Sequence, residues 1–399
     1  MPAPVFIAGL GAISAIGNNV QENLDSLKKS IPGMGKMRHL PSVHQQSIPV
    51  AEVKKSNEEL ATLAHLPTGI SRTALLSMIA AREALTDTGI ADVSSWKTGF
   101  ISANTTGGMD RTEDFFVPFL KDNSRGRLRD VVNHECGTVT EIVADELGIK
   151  GLITTISTAC SSSANAIFFG ARLIRQGRLD IAVAGGADAL TRFTVNGFNT
   201  LMILDGEFCK PFDERRKGLN IAEGAAYVVM VSEKVMAVLS RAPYCTLSGY
   251  CNANDAYHQT ASSPEGAGSF LAMKGALRKS GLQPMDIDYI NLHGTGTQNN
   301  DLSEGTAIQR LFDPHYPPMS STKSFTGHTL GASGSLEAIY SALSIRHGLI
   351  YPNLRFETPM KELPFTPVVE LLEHRQVNHV LSNSFGFGGN CSSLIFSKS

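Results

Sequence analysis

The chain repeats itself, and the repeat constrains the fold more than any single motif does. Five segments of the first half have counterparts in the second, in the same order. Residues 5–11 (VFIAGLG) and 245–251 (CTLSGYC) are strand-like runs that end in small residues. Helical patterns closing on glycine follow at 78–89 and 273–281. Residues 100–108 and 289–296 each read as a strand running into a glycine-rich turn. Residues 160–177 parallel 331–348, with Ile167, Ala171 and Ile174 matching Ala338, Ala342 and Ile345. Residues 180–186 and 380–386 are strands breaking into small residues. One such match is chance; five in one order are not. Alternating strand and helix patterns give an α/β class, and the repeats are far too long for a solenoid. The expectation is two similar halves, 1–240 and 241–399, parted near Arg241-Ala242-Pro243. Their sheets pack on shared central helices about a pseudo-twofold axis, so equivalent strand ends from both halves converge on one site.

Composition removes several function classes. The 399 residues are 42% hydrophobic and 18% charged, which describes a folded protein with a large core. A net charge of −2 argues against a generally nucleic-acid-binding surface. Six cysteines without a CxxC pair fit a reducing, cytoplasmic setting with free thiols. The N-terminus has no basic region of the secretory kind, and no uninterrupted apolar run is long enough to cross a bilayer.

The chemistry gathers at a few turns. Cys160 lies between the β-branched run Leu152-Ile153-Thr154-Thr155-Ile156 and a helical pattern, among small residues that leave room for substrate. The first amides of a helix there would favour thiolate. His293 (NLHGTGT) and His328 (STKSFTGHTLGA) are each expected at a strand-to-glycine transition. The tail, Asn383 to Asn390, reads NSFGFGGN, and its glycines expose amides able to bind an oxyanion. A zinc reading of Cys160, His293 and His328 lacks HxxxH or CxxC spacing, so no metal is expected. Gly9-Leu10-Gly11 is a weak dinucleotide signal, since Ser14 stands where the third glycine would be.

Taken together, these motifs resemble the β-ketoacyl-acyl carrier protein synthases of the thiolase superfamily, elongating type. The resemblance spans the chain, from Gly9–Ser14 through Pro211-Phe212-Asp213 and Asp255-Ala256-Tyr257-His258 to Gly386-Phe387-Gly388-Gly389. It implies a thiolase-like fold, two α/β halves layered α-β-α-β-α. It also implies a decarboxylative Claisen condensation without a bound cofactor, on substrates carried by the phosphopantetheine of an acyl carrier protein. By the resemblance, Cys160 is the nucleophile and the amides of Cys160 and Phe387 form the oxyanion hole. His293 and His328 bind the malonyl thioester carbonyl, and Lys323 supports them with Glu304 as its carboxylate partner. Phe387 is the gate, moving on Gly386, Gly388 and Gly389. Thr106 takes the place of a bulky aliphatic residue that narrows the acyl tunnel, which points to long, unsaturated or stiff chains and to an aryl polyene or other polyketide pathway. The tail departs from the usual GFGGTN, reading GFGGNC, which opens a question about the hydrogen bonds of that loop. Carrier docking would use Lys210, Arg215, Arg216 and Lys217, with Arg125, Arg127 and Arg129. The partner is a second copy or a chain-length-factor-like subunit. Two rivals are a thiolase acting on coenzyme A esters and a non-catalytic chain-length factor; the histidine pair with Lys323 disfavours the first, and Cys160 itself the second.

Overall fold

The computed structural model describes residues 3–399. Its strands are β1 (Phe6–Ser14), β2 (Thr98–Ala103), β3 (Leu152–Ile156), β4 (Ile181–Asp188) and β5 (Gly224–Val231), then β6 (Cys245–Asn254), β7 (Tyr289–Asn291), β8 (Met319–Ser320), β9 (His379–Phe385) and β10 (Asn390–Ser397). They order as β3-β2-β4-β5-β1-β6-β10-β9-β7-β8. Read inward from its own edge, each half has the same plan: β3-β2-β4-β5-β1 on one side and β8-β7-β9-β10-β6 on the other. In each, the three outer strands are parallel and the remainder antiparallel. The sheet is continuous rather than split in two, because β1 and β6 pair at Phe6 with Thr246 and Ile7 with Cys245.

The shared central layer is made by the helices Ser162–Arg175 and Ser333–His347, which touch one another and strands of both halves. From Ser333 to Ile345 every residue is buried, as expected of a helix enclosed on all sides. Small residues permit the approach: a Cβ on Gly334 would stand 2.8 Å from the Cβ of Ala164. The helix Arg72–Thr88 covers β1 and β5 from outside, and Ala267–Ser280 covers β6 and β10. The glycines of β1 belong to this packing and not to a nucleotide site. A Cβ on Gly9 would lie 2.2 Å from the carbonyl oxygen of Ala84, and its counterpart on β6, Gly249, would meet that of Ala276 at 2.4 Å. The connection from β5 to β6 is fastened by Arg241, whose guanidinium donates to Asp87 at 2.9 Å and to the Ala8 carbonyl at 2.7 Å. Among the described residues, no helix is long and apolar enough to cross a membrane.

Candidate active site

The turn after β3 presents Cys160. Ala159 adopts a left-handed φ of 52°, and the Thr158 amide donates to the Ser162 hydroxyl at 2.8 Å, closing the turn onto the first residue of the central helix. Cys160 is buried, and its sulfur faces its own amide and that of Phe387. Burial pushes the thiol up to about 11, against the pull of the Lys323 charge and the two amides. The expected thiolate-favouring environment is therefore outweighed: the dipoles are present, and desolvation exceeds them.

β7 delivers His293, and the segment after β8 delivers Lys323 and His328. The ligand atoms of Cys160, His293 and His328 lie within 4.8 Å of one another, and the two imidazoles meet edge to face at 5.4 Å. Both are held far below the usual histidine range, first by burial and then by the Lys323 ammonium. Their tautomers follow from their partners. The Leu330 amide donates to Nδ1 of His328 at 3.1 Å, with the Ser333 hydroxyl 3.0 Å from the same atom. Lys323 Nζ lies 3.2 Å from Nδ1 of His293. With each Nδ1 accepting, each neutral ring carries its proton on Nε2, so the pair offers N–H donors. The same arrangement leaves no free Nε2 lone pair for a metal ion.

Lys323 is buried and donates to the His293 carbonyl at 2.7 Å. Its carboxylate partner is Glu337, in a close ion pair, and not Glu304. Glu304 instead accepts the amides of His293 at 2.9 Å and Gly294 at 2.8 Å and the Asn383 side chain at 3.0 Å. It therefore shapes the His293 turn. Burial pushes Glu304 up to about 7, against those donors. The sequence signal for Glu337 is that it is the one charged residue in the buried stretch from Ser333 to Ile345.

A cleft of about 510 Å³ reaches Cys160, His293, His328 and Phe387. The Phe387 ring stacks on Phe198 at 5.9 Å, a partner no sequence signal announced. Gly388, at φ 76°, donates its amide to the Gln259 carbonyl at 2.7 Å. The tail's departure from GFGGTN is accommodated: the Asn390 side-chain oxygen accepts from Ser161 at 2.8 Å, Asn165 at 2.9 Å and Asn252 at 2.7 Å. Thr106 is absent from the cleft wall; it is buried with its hydroxyl on Asp188 at 2.9 Å. Of the cations proposed for docking, Lys217 lines the cleft and Lys210 is half-buried. Arg216 is buried, donating to the carbonyls of Thr297, Gln298 and Asp213, so it is structural. Arg215 pairs with Glu357, Arg127 with Asp130 and Arg125 with Asp122, while Arg129 is exposed.

Two family models, the N-terminal and C-terminal domains of β-ketoacyl synthase, match residues 3–237 and 244–357. The chain belongs to the β-ketoacyl synthase family. It is 32% identical to 3-oxoacyl-[acyl-carrier-protein] synthase 2 of Staphylococcus aureus (strain N315), over 99% of this chain and 98% of that one. A chain of the ishigamide ketosynthase/chain length factor superposes with a TM-score of 0.95 at 28% identity, covering 100% of both chains. The complex of a ketosynthase (ApeO) with its chain length factor (ApeC) from Xenorhabdus doucetiae gives 0.85 at 32% identity, covering 100% of this chain and 98% of that one. This β-ketoacyl synthase is an elongating, type II acyltransferase of fatty-acid or polyketide synthesis.

Proposed function

We propose that Cys160 is the nucleophile of this ketosynthase and that His293 and His328 act on the extender. The carrying observation is the meeting of a buried thiol, two Nε2–H donors and two amides at one cleft. In the first step the Cys160 sulfur attacks the acyl-carrier thioester. The bond to phosphopantetheine sulfur breaks, and the proton lost by Cys160 ends on the departing thiol. The amides of Cys160 and Phe387 stabilise the tetrahedral oxyanion. Exchange of one thioester for another keeps the acyl group activated. In the second step the Nε2–H groups of His293 and His328 donate to the malonyl thioester carbonyl. Carbon dioxide leaves, and the enolate attacks the acyl-Cys160 carbonyl. The new carbon–carbon bond expels the Cys160 sulfur and yields a β-ketoacyl carrier two carbons longer. Lys323, compensated by Glu337, holds His293 in its neutral donor form. No bound cofactor or metal enters these steps.

We further propose a cytoplasmic enzyme of an aryl polyene or other polyketide pathway, taking unsaturated chains and working as a pair of thiolase-like subunits. Thr106 is turned to Asp188 and lies off the cleft wall, so it places no bulk in the path of an acyl chain there, and that supports the chain preference. The relatives solved with a chain length factor support the pairing.

Intact-mass analysis with acyl- and malonyl-carrier substrates tests the assignment. Wild type gains an acyl adduct and releases a chain extended by two carbons, while Cys160→Ala does neither. An adduct that persists in Cys160→Ala refutes the nucleophile. Faster extension of saturated than of polyunsaturated chains refutes the chain preference.

A further inference from the structure

A buried carboxylate behind the site is unused by the chemistry above. Asp188 ends β4, is fully buried, and among the described residues forms no salt bridge. Donors alone satisfy it. One oxygen accepts the amides of Thr105 at 2.8 Å and Thr106 at 3.0 Å and the Thr106 hydroxyl at 2.9 Å. The other accepts the Thr105 hydroxyl and the Gly331 amide, both at 2.7 Å. Five donors meeting at one side chain call for a strong acceptor with no donor of its own, which an ionised carboxylate supplies.

The carboxylate joins the two halves of the molecule. One oxygen holds the turn after β2. The other reaches across to Gly331, the residue after Leu330, whose amide fixes Nδ1 of His328. The approach is close: a Cβ on Gly331 would stand 2.7 Å from the Asp188 oxygen and 3.1 Å from the Thr105 methyl. The φ of Gly331 is not in the left-handed region, so glycine is needed there for space and not for backbone freedom.

We propose that Asp188 is a positioning residue that locks the His328 turn to the Thr105-Thr106 turn, so that condensation depends on it and acyl loading of Cys160 does not. The step it serves is the one assigned above to His328, and the inference rests on that reading. Asp188→Asn keeps one acceptor oxygen and turns an NH2 toward the other set of donors, leaving that set unpaired; Gly331→Ala keeps the carboxylate and forces the contact apart.

Loading of Cys160, followed by intact mass, and single-turnover condensation with malonyl-carrier are measured separately in wild type, Asp188→Asn and Gly331→Ala. Condensation falls by about 100-fold in both variants, the size of losing one well-placed oxyanion donor, with loading within about threefold of wild type. The nitrogen-15 resonances of labelled His328 report the lock without turnover: the protonated Nε2 and bare Nδ1 of wild type give well-separated signals that average in the variants. Full condensation in both variants overturns the proposal. So does an equal fall of loading and condensation with the His328 signals unchanged, which marks a merely structural carboxylate. If Asp188→Asn does not fold, Gly331→Ala decides alone. A wild type that neither loads nor condenses refutes the catalytic reading, and the nitrogen signals still decide whether the lock exists.

Discussion

Burial and local dipoles pull the Cys160 thiol in opposite directions. Because burial dominates, the resting sulfur is protonated at neutral pH. The thiolate is the reactive species, so its population rises with pH until the group's own titration is passed. Alkylation of Cys160 by iodoacetamide should therefore accelerate about tenfold per pH unit between roughly pH 7 and 9, without the plateau an ordinary thiol shows near its pKa of about 8.5. Lys323→Met removes the nearest favourable charge and should slow alkylation at every pH. Mass spectrometry resolved to Cys160 reads both, and a plateau below about pH 9 would contradict the burial argument. At this scale the sequence was informative where chemistry is confined to a turn: Cys160, His293, Lys323 and His328 each sit beside small residues or glycine and do meet in space. It was uninformative about which acid faces which base. Glu304 is closer to His293 in the chain and binds its amide, while the acid on Lys323, Glu337, comes from the central helix, fourteen residues on. That choice is made by helix packing, which spacing alone does not encode.

Between residue and fold lies the loop from Gly386 to Gly389, which carries Phe387 against Phe198 and aims its amide at the Cys160 sulfur. Gly388 holds φ 76° with open space where a Cβ would go, so alanine there meets backbone strain and no clash. Left-handed backbone costs an L-residue about 1–2 kcal/mol. If loading requires this loop to move, Gly388→Ala should slow acyl-carrier loading of Cys160 by about fivefold to thirtyfold. Iodoacetamide, small enough to enter past the ring, should react at the wild-type rate. Equal slowing of both reagents would show that the loop shapes the sulfur's surroundings and does not gate them. The elements themselves were largely legible. The five echoed segments are β1 with β6, the two outer helices, β2 with β7, the two central helices, and β4 with β9. The echo missed β3 with β8, because β8 has two residues and carries no pattern. It also missed β5 with β10, whose burial along their length removes the alternation that marks a strand. The joining of the halves through only the ends of β1 and β6 follows from tertiary packing and left no mark in either strand's composition.

For the whole molecule, one segment carries an unusual amount of exposed apolar side chain. On and after the helix Met109–Lys121, Leu120 is 78% exposed, Leu128 72% and Val132 70%, with Phe116 and Val117 nearly half exposed. Scattered exposed aliphatics are ordinary, but a cluster is a mark of association. The edge strand β3, which leads directly to Cys160, is half-buried at every position and carries no charge, whereas an edge that faces water is normally blunted. A subunit covering the apolar segment would remove it from water, and one laid along β3 would steady the turn that carries the nucleophile. The assembly should therefore sediment at about twice the 42.8 kDa of one chain, either alone or after co-expression with a chain-length-factor-like subunit. Leu120→Glu, Leu128→Glu and Val132→Glu combined change only exposed positions, so the fold should persist while the mass falls to that of one chain. Cys160 loading should then fall with the mass if the covering subunit steadies the β3 turn. A wild type that sediments as one chain under both conditions removes the pairing. A monomeric triple variant that loads Cys160 at the wild-type rate leaves the pairing in place but separates it from the chemistry, and the nucleophile turn would then be complete within a single subunit.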